Sequence, residues 1–317
     1  MAAGRPDRGH PVRPGPRPAR AARARHPGPA GGAVIEVRRA GALTTVQDLG
    51  RPGYAHLGVP RSGALDPPAL TLANRLVGNA PGAAALEITA TGCAIRLRRA
   101  AAVAVTGAYA EVRVDGRAAQ FAAPLSLPAG TTVDVGPARA GVRSYLAVGG
   151  GLAVAPVLGS RSTDTLSGLG PAPLRDGDVL PLGTPERFPA ADFAPWRPPA
   201  GDLLLAVRFG PRADWFTDDA RGTLLSTEYK ISPMSNRVGA RLSGARLGRA
   251  RGGELPSEGL VLGAVQVPAA GEPLIFLADH PTTGGYPVIA VVEDVTPLAQ
   301  AGPGTAVRFR EVGGPVR

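Results

Sequence analysis

Short apolar or alternating segments, broken by Gly and Pro and lacking regular helical spacing between them, leave this chain few folds that are not mostly β. IEVRR (35–39), AIRLRR (94–99), AVAVTG (102–107), AEVRVDG (110–116), TTVDVG (131–136) and RSYLAVGG (143–150) all read as strands. Val114-Asp115-Gly116-Arg117 is a hairpin signal, because Asp-Gly tolerates the positive φ of a tight turn. Pro124, Pro128 and Pro137 are expected at strand ends or turns, where a missing amide donor does least harm. Strands without intervening helices argue against a doubly wound sheet and for barrels or sandwiches.

One stretch departs from this pattern. Thr44 to Asn79, TTVQDLGRPGYAHLGVPRSGALDPPALTLANRLVGN, begins as loop chemistry, with glycines and prolines fixing turns among Gln47, Asp48, Arg51, Tyr54, His56 and Arg61. It ends as a helix. Asp66 suits the N-cap and Pro67 the first turn, while Leu70, Ala73, Leu76 and Val77 form one apolar stripe before Gly78-Asn79 stops it, with Asn79 in the left-handed conformation.

Residues 185–201, PERFPAADFAPWRPPAG, are proline-dense and aperiodic, and are read as a linker between an N-terminal β-rich subdomain (33–184) and a C-terminal one (202–317). In the second, LLLAVRFG (203–210), LVLGAVQVP (260–268), PLIFLAD (273–279), PVIAVVED (287–294) and AVRFREV (306–312) read as strands, and Asp214–Leu225 as a short helix with Trp215, Phe216 and Ala220 inward.

The net charge of +10 sits mainly in residues 1–32, where seven arginines and one aspartate supply +6. That segment has no apolar h-region and too little hydrophobicity to fold, and reads as a disordered Arg/Pro-rich tail. No aromatic side chain is interleaved there for base stacking, so nucleic acid is not an expected partner. The single cysteine, Cys93, rules out an intramolecular disulfide and points to a reducing, cytoplasmic setting. No apolar run reaches the roughly 18 residues of a membrane span.

Absent motifs narrow the chemistry. The only lysine, Lys230, lies in EYKIS with no glycine run before it, so there is neither a P-loop nor a biotin-carrying lysine. HExxH and GxSxG are missing, and two of the four histidines lie in the tail, so no metal site is expected. An enzyme of this kind would share its site with a partner.

Thr282-Thr283-Gly284-Gly285-Tyr286-Pro287 is the strongest candidate site: adjacent glycines allow successive amides to form an oxyanion nest, supplemented by threonine hydroxyls, or else simply turn the chain between two strands. Asp279 and His280 lie just before it, His280 reading as an ordinary loop residue. Gln47, Asp48 and Arg51 form a second group, able to hold a carboxylate substrate or to pair with each other across the turn. Ser160-Arg161-Ser162-Thr163-Asp164 offers oxyanion recognition or satisfies its own backbone. Gln266, opposite in facing to Val265 and Val267, lines a pocket or bonds neighbouring backbone.

TTVQDLGRPGY, GVPRSGALD, ANRLVGN, LEITATG, YLAVGGG, PVLGSRSTD, SNRVGARLSG, GAVQVP and TTGGYP, in that order, resemble the allophanate hydrolase subunit 2 or biotin-dependent carboxyltransferase family, which includes the C-type subunit of 5-oxoprolinase. The resemblance spans about residues 34 to 310. It implies a cyclophilin-like β-barrel architecture in two subdomains with few short helices. It also implies one component of an ATP-dependent 5-oxoprolinase that opens 5-oxoproline to L-glutamate. The implied partners are a subunit 1-type homologue (the B-type component) and a LamB/YcsF-type homologue (the A-type component), with ATP and Mg used by the complex and no biotin attached to this chain. The carboxyltransferase half of a urea-type carboxylase, or a regulatory protein that binds the subunit 1 homologue, are the alternatives. The sequence departs from the family pattern at His280-Pro281, where Arg-Gln is usual, at Val288, where Lys is usual, and at Asn236, where Asp is usual.

Overall fold

In the computed structural model, residues 34–185, 193–253 and 255–313 are described. The N-terminal part builds one nine-stranded sheet from β1 (Ile35–Arg39), β2 (Leu43–Gln47), β3 (Ala85–Thr89), β4 (Cys93–Leu97), β5 (Ala101–Val114), β6 (Arg117–Ala119), β7 (Leu125–Leu127), β8 (Thr132–Val148) and β9 (Val179–Leu180). Along its main path the order is β2-β3-β8-β4-β1-β9.

Two long strands shape this sheet. The segments 102–107 and 110–116 merge into β5, and 131–136 and 143–150 merge into β8. The first half of β8 pairs with β4 and the second half with β3, while β5 runs along both halves. Register shifts between Gly107 and Val112 let the pair bend, so that the sheet curls around a core of Ile35, Val37, Val46, Leu86, Ile95 and Val133. Pro137 lies inside β8 rather than at a strand end; it sits opposite these bulges, where the ladder is already interrupted and a missing amide costs little. Gly107, at φ +80, is needed there, because a Cβ would fall 2.5 Å from the Arg143 carbonyl oxygen. The Asp115-Gly116 turn joins β5 to β6 with both residues at positive φ.

The helix α1 (Pro67–Leu76) forms as its sequence predicts. Asp66 Oδ1 accepts from Ala69 N at 3.0 Å, and Leu70, Ala73, Leu76 and Val77 pack on Ala85, Ala104, Tyr145 and Ala147 of the sheet. Gly78, not Asn79, takes the left-handed conformation that ends it. Asn79 instead acts through its side chain, donating to Asn74 Oδ1 and the Val148 carbonyl and accepting from Gly150 N.

The C-terminal part closes a seven-stranded barrel, β10-β17-β14-β15-β12-β11-β18, from β10 (Leu203–Phe209), β11 (Tyr229–Ile231), β12 (Gly239–Ser243), β14 (Ala264–Gln266), β15 (Leu274–Phe276), β17 (Val288–Val292) and β18 (Ala306–Glu311). Parallel pairing of β10 with β18 completes the closure. The hairpin-like pair β13 (Glu258–Gly259) and β16 (Thr283–Gly284) stands apart from it. The expected helix after β10 becomes a 3-10 turn, Ala213–Trp215, followed by α2 (Asp218–Ser226), which starts only where Thr217 caps Ala220 N. Phe216 and Ala220 are buried and Trp215 packs half-buried against the barrel core.

The proline-dense stretch is docked where described. Trp196 packs on Tyr109 and Phe121 and donates from Nε1 to the Gly107 carbonyl, and Ala194 N donates to Ala122 O. The Arg/Pro-rich tail lies outside the described residues. Leu65, from the loop before α1, inserts into the barrel core and so ties that loop to the barrel. No helix among the described residues is long and apolar enough to cross a membrane.

Candidate active site at the junction of sheet and barrel

Strand β2 ends at Gln47 and delivers the loop 48–64 against the barrel. Asp48 turns into the loop 160–162: Oδ1 accepts from Gly50 N at 2.8 Å, Ser160 Oγ at 2.6 Å and Ser162 Oγ at 2.5 Å, and Oδ2 accepts from Arg161 N at 2.6 Å. Four donors occupy this carboxylate, so its work is to hold two loops together. The Asp48–Arg51 pair that the spacing allowed does not form. Arg51 instead donates from Nη2 to the Ser162 carbonyl and from Nε to the Val157 carbonyl at 3.4 Å. It is 1% exposed, and among the described residues no carboxylate comes within ion-pair distance of it. Gln47 donates from Nε2 to the Thr163 carbonyl at 2.9 Å and to Thr45 Oγ1 at 3.1 Å.

The same loop meets the barrel through Ser62 and Asp279. Ser62 is held at φ +53, a conformation costly for a residue with a Cβ, and its Oγ lies 2.6 Å from Asp279 Oδ1 and 2.9 Å from the Thr163 carbonyl. Asp279 Oδ2 accepts from Thr165 N at 3.0 Å and Thr165 Oγ1 at 2.7 Å. Behind Asp279 lies Arg237, which reaches Asp279 with two nitrogens, the Gly63 carbonyl at 2.6 Å and Glu87 on β3. Glu87 also accepts from Tyr145 OH at 2.7 Å and Leu65 N at 3.0 Å, and Arg143 Nε lies 3.8 Å away.

Electrostatics follow from this enclosure. Burial raises the Asp279 carboxyl, but the Arg237 guanidinium and the hydrogen bonds from Arg237, Ser62 and Thr165 outweigh it and hold it below the ordinary range. Burial also works against the Arg237 charge, and Glu87 and Asp279 more than compensate, raising it. Tyr145 is pushed well above its usual value by burial and by Glu87. His280, packed on Phe276 with Nδ1 2.7 Å from the Pro281 carbonyl, is held below the usual imidazole value by burial.

The Thr282–Tyr286 motif takes a different shape from the expected nest. Thr283-Gly284 is a short extended strand paired with Glu258-Gly259, and neither Gly284 nor Gly285 has positive φ. Extended backbone sends successive amides to opposite sides, so they cannot converge on one oxygen. Gly284 is required by close approach: a Cβ would lie 2.8 Å from Leu260 Cδ1 and 2.9 Å from Gln266 Nε2. Gln266, buried on β14, donates from Nε2 to the Tyr286 carbonyl at 3.1 Å, the backbone-bonding role its strand position left open. Tyr286 is exposed, with the Arg249 guanidinium 5.8 Å from its ring centroid. Thr282 comes near the 48–64 loop at Gly58, where a methyl would stand 3.9 Å from its Oγ1.

The structure thus gathers Gln47, Asp48, Arg51 and the loop 160–165 in one place, and Gln266 with residues 284–286 in another, on the barrel. Asn236 is a turn former, its Oδ1 accepting from Val238 N and Gly239 N. Val288 packs with Leu260, Ala264 and Phe276. Sequence reasoning passed over Glu87, Tyr145, Arg143 and Arg237 as a group. A signal existed for two of them: Glu87 interrupts an apolar run, and Glu87 and Tyr145 fall opposite each other in the β3–β8 register.

A bent sheet and a closed barrel, joined by buried ion pairs and polar loops, define a two-part, mostly β domain of the carboxyltransferase type. The chain belongs to the family described as carboxyltransferase domain, subdomain A and B, which matches residues 57–311. It is 40% identical over 281 residues to the C-type subunit of 5-oxoprolinase from Escherichia coli, covering 87% of this chain and 90% of that one. Among solved structures, TTHA0988 superposes with a TM-score of 0.79 at 38% identity, covering 88% of this chain and 55% of that one. The K. lactis urea amidolyase superposes with a TM-score of 0.83 at 30% identity, covering 90% of this chain. This chain therefore spans about half of the TTHA0988 chain and 19% of the urea amidolyase.

Proposed function

We propose that this chain is the C-type subunit of an ATP-dependent 5-oxoprolinase, which opens the lactam of 5-oxoproline to L-glutamate in the cytoplasm. The observation that carries this reading is the 40% identity to the C-type subunit of the Escherichia coli 5-oxoprolinase along 90% of that protein. In this reading the substrate site lies between sheet and barrel, with the buried Gln47 and Arg51 on one side and Thr282, Thr283, Gly284, Gly285, Tyr286 and Gln266 on the other; Asp48 holds the first side in shape.

An unstrained lactam is a poor electrophile, so hydrolysis is driven by ATP acting on the carbonyl oxygen. Asp48, Glu87 and Asp279, buried carboxylates of the junction, are each committed to protein donors. In this reading ATP and magnesium are used by the complex, formed with a subunit 1-type and a LamB/YcsF-type partner, and this chain binds and orients the ring. The test is ATP hydrolysis and glutamate release by the three co-purified chains. Stimulation of both by 5-oxoproline supports the reading, and a complex that consumes no ATP with 5-oxoproline sinks it.

A second reading, the carboxyltransferase part of a urea-type carboxylase, draws on the superposition with urea amidolyase. It requires a separate biotinylated carrier, and carboxybiotin-dependent transfer to urea is the measurement that selects it.

A further inference from the structure

Among the described residues six buried side-chain nitrogen or oxygen atoms have no hydrogen-bond partner in the protein, and three of them, Gln47 Oε1, Arg51 Nη1 and Thr163 Oγ1, fall in one small region. The residues are linked: Gln47 donates to the Thr163 carbonyl and Arg51 to the Ser162 carbonyl. Buried polar atoms are normally satisfied, and a buried cation without a facing carboxylate is costly, so such a concentration calls for a ligand. Asp48, the nearest acid in sequence, cannot serve because its oxygens are taken by Gly50, Ser160, Arg161 and Ser162.

Two turns cover the guanidinium. Val157–Ser160 closes on itself through reciprocal backbone bonds, with Leu158 and Gly159 both at positive φ. Asp164–Gly170 is wound around the Asp164 carboxylate, which accepts from Leu166 N and Ser167 N. Gly170 lies against Arg51, and a Cβ there would stand 3.2 Å from Nη2. The second turn is tied to the barrel through Thr165 on Asp279.

We propose that Arg51 and Thr163, with Gln47 beside them, form a subsite for the carboxylate of a small organic acid, entered when the 164–170 turn lifts and closed when Thr165 reseats on Asp279. A guanidinium presents paired donors matched to the two oxygens of a carboxylate, the Thr163 hydroxyl supplies a further donor, and Gln47 Oε1, an acceptor, takes the lactam N–H beside the carboxylate. The assignment rests on the oxoprolinase reading for its ligand, the carboxylate of 5-oxoproline, which leaves the lactam carbonyl free to face the barrel.

The test compares 5-oxoproline with 5-oxoprolinamide, which keeps the ring and replaces the carboxylate by a neutral amide. With the wild-type full chain, hydrogen exchange of residues 164–170 slows with 5-oxoproline and not with the amide. In the assembled complex, Arg51→Lys and Arg51→Gln raise KM for 5-oxoproline about 10- to 100-fold, the range for losing a charge-assisted hydrogen bond, with a smaller change in kcat. Equal protection by acid and amide, or none by either, means that solvent alone satisfies Arg51 and overturns the subsite; so does an unchanged KM in a folded Arg51→Lys complex. If the complex shows no oxoprolinase activity, the functional reading fails separately. Protection of the same turn by acetate, and its loss in Arg51→Lys, then decides the subsite on its own.

Discussion

Arg237 grips Asp279 with two nitrogens, Nε 2.9 Å from Oδ2 and Nη2 3.0 Å from Oδ1, in the buried seam between sheet and barrel. Both side chains are essentially inaccessible, and the remaining Arg237 nitrogen goes to Glu87 of the sheet. Removing one member strands the others in a medium of low polarizability. Arg237→Ala is expected to cost about 3–5 kcal/mol, and Arg237→Met combined with Asp279→Leu less than the sum of the single changes. Urea unfolding of the full chain measures this; a loss below about 1 kcal/mol in the single variant would show that solvent reaches the seam.

Ser62 inverts the usual ranking of Ala and Gly. At φ +53 a Cβ is strained, and Oγ is bonded to Asp279. Ser62→Ala loses the bond and keeps the strain, whereas Ser62→Gly loses the bond and relieves it. The glycine variant is therefore expected to be the more stable of the two by about 1 kcal/mol, read as the difference in urea midpoint at equal m.

His280 sets an acid limit. Burial depresses its folded value below the ordinary imidazole one, so the unfolded chain binds the proton more readily. Its contribution is fully present above the unfolded value, roughly pH 6.5, and is lost as pH falls through the depressed folded value. Asp279, also depressed, acts the same way at lower pH, below the ordinary carboxylate range. His280→Gln should flatten the fall in melting temperature just below pH 6.5 and leave the lower limb in place. An unchanged profile would mean that His280 is solvated.

Gln266 holds the Tyr286 carbonyl from the neighbouring strand. Gln266→Leu is expected to cost about 1 kcal/mol of stability and, in the assembled complex, to lower glutamate release more than it lowers melting temperature. Full activity would place the 282–286 loop outside the substrate surface.

How much was legible in the sequence differs from element to element. The α1 helix, its Asp66 cap and the Asp115-Gly116 turn could be read directly, because each is decided by residues within a few positions of one another. The merger of four predicted strands into β5 and β8 could not, since the bulges that let Gly107 and Pro137 remain inside strands depend on the partner strand. The Gly284-Gly285 pair suggested a nest, and the pairing with Glu258-Gly259 drew it out into a strand.

By itself, the sequence determined a mostly β chain, its family, and two polar segments set apart from the apolar pattern, since periodicity, turn chemistry and collinear motifs are properties of the chain read along its length. Only the tertiary structure decided that Asp48 is spent on a loop, that Arg51 has no counter-charge among the described residues, and that Arg237 joins Glu87 to Asp279. Partners 42 and 150 residues apart in the chain meet because burying Leu65 and the two apolar cores brings sheet and barrel together, and a charge excluded from water at that seam must find its partner wherever the fold has placed one.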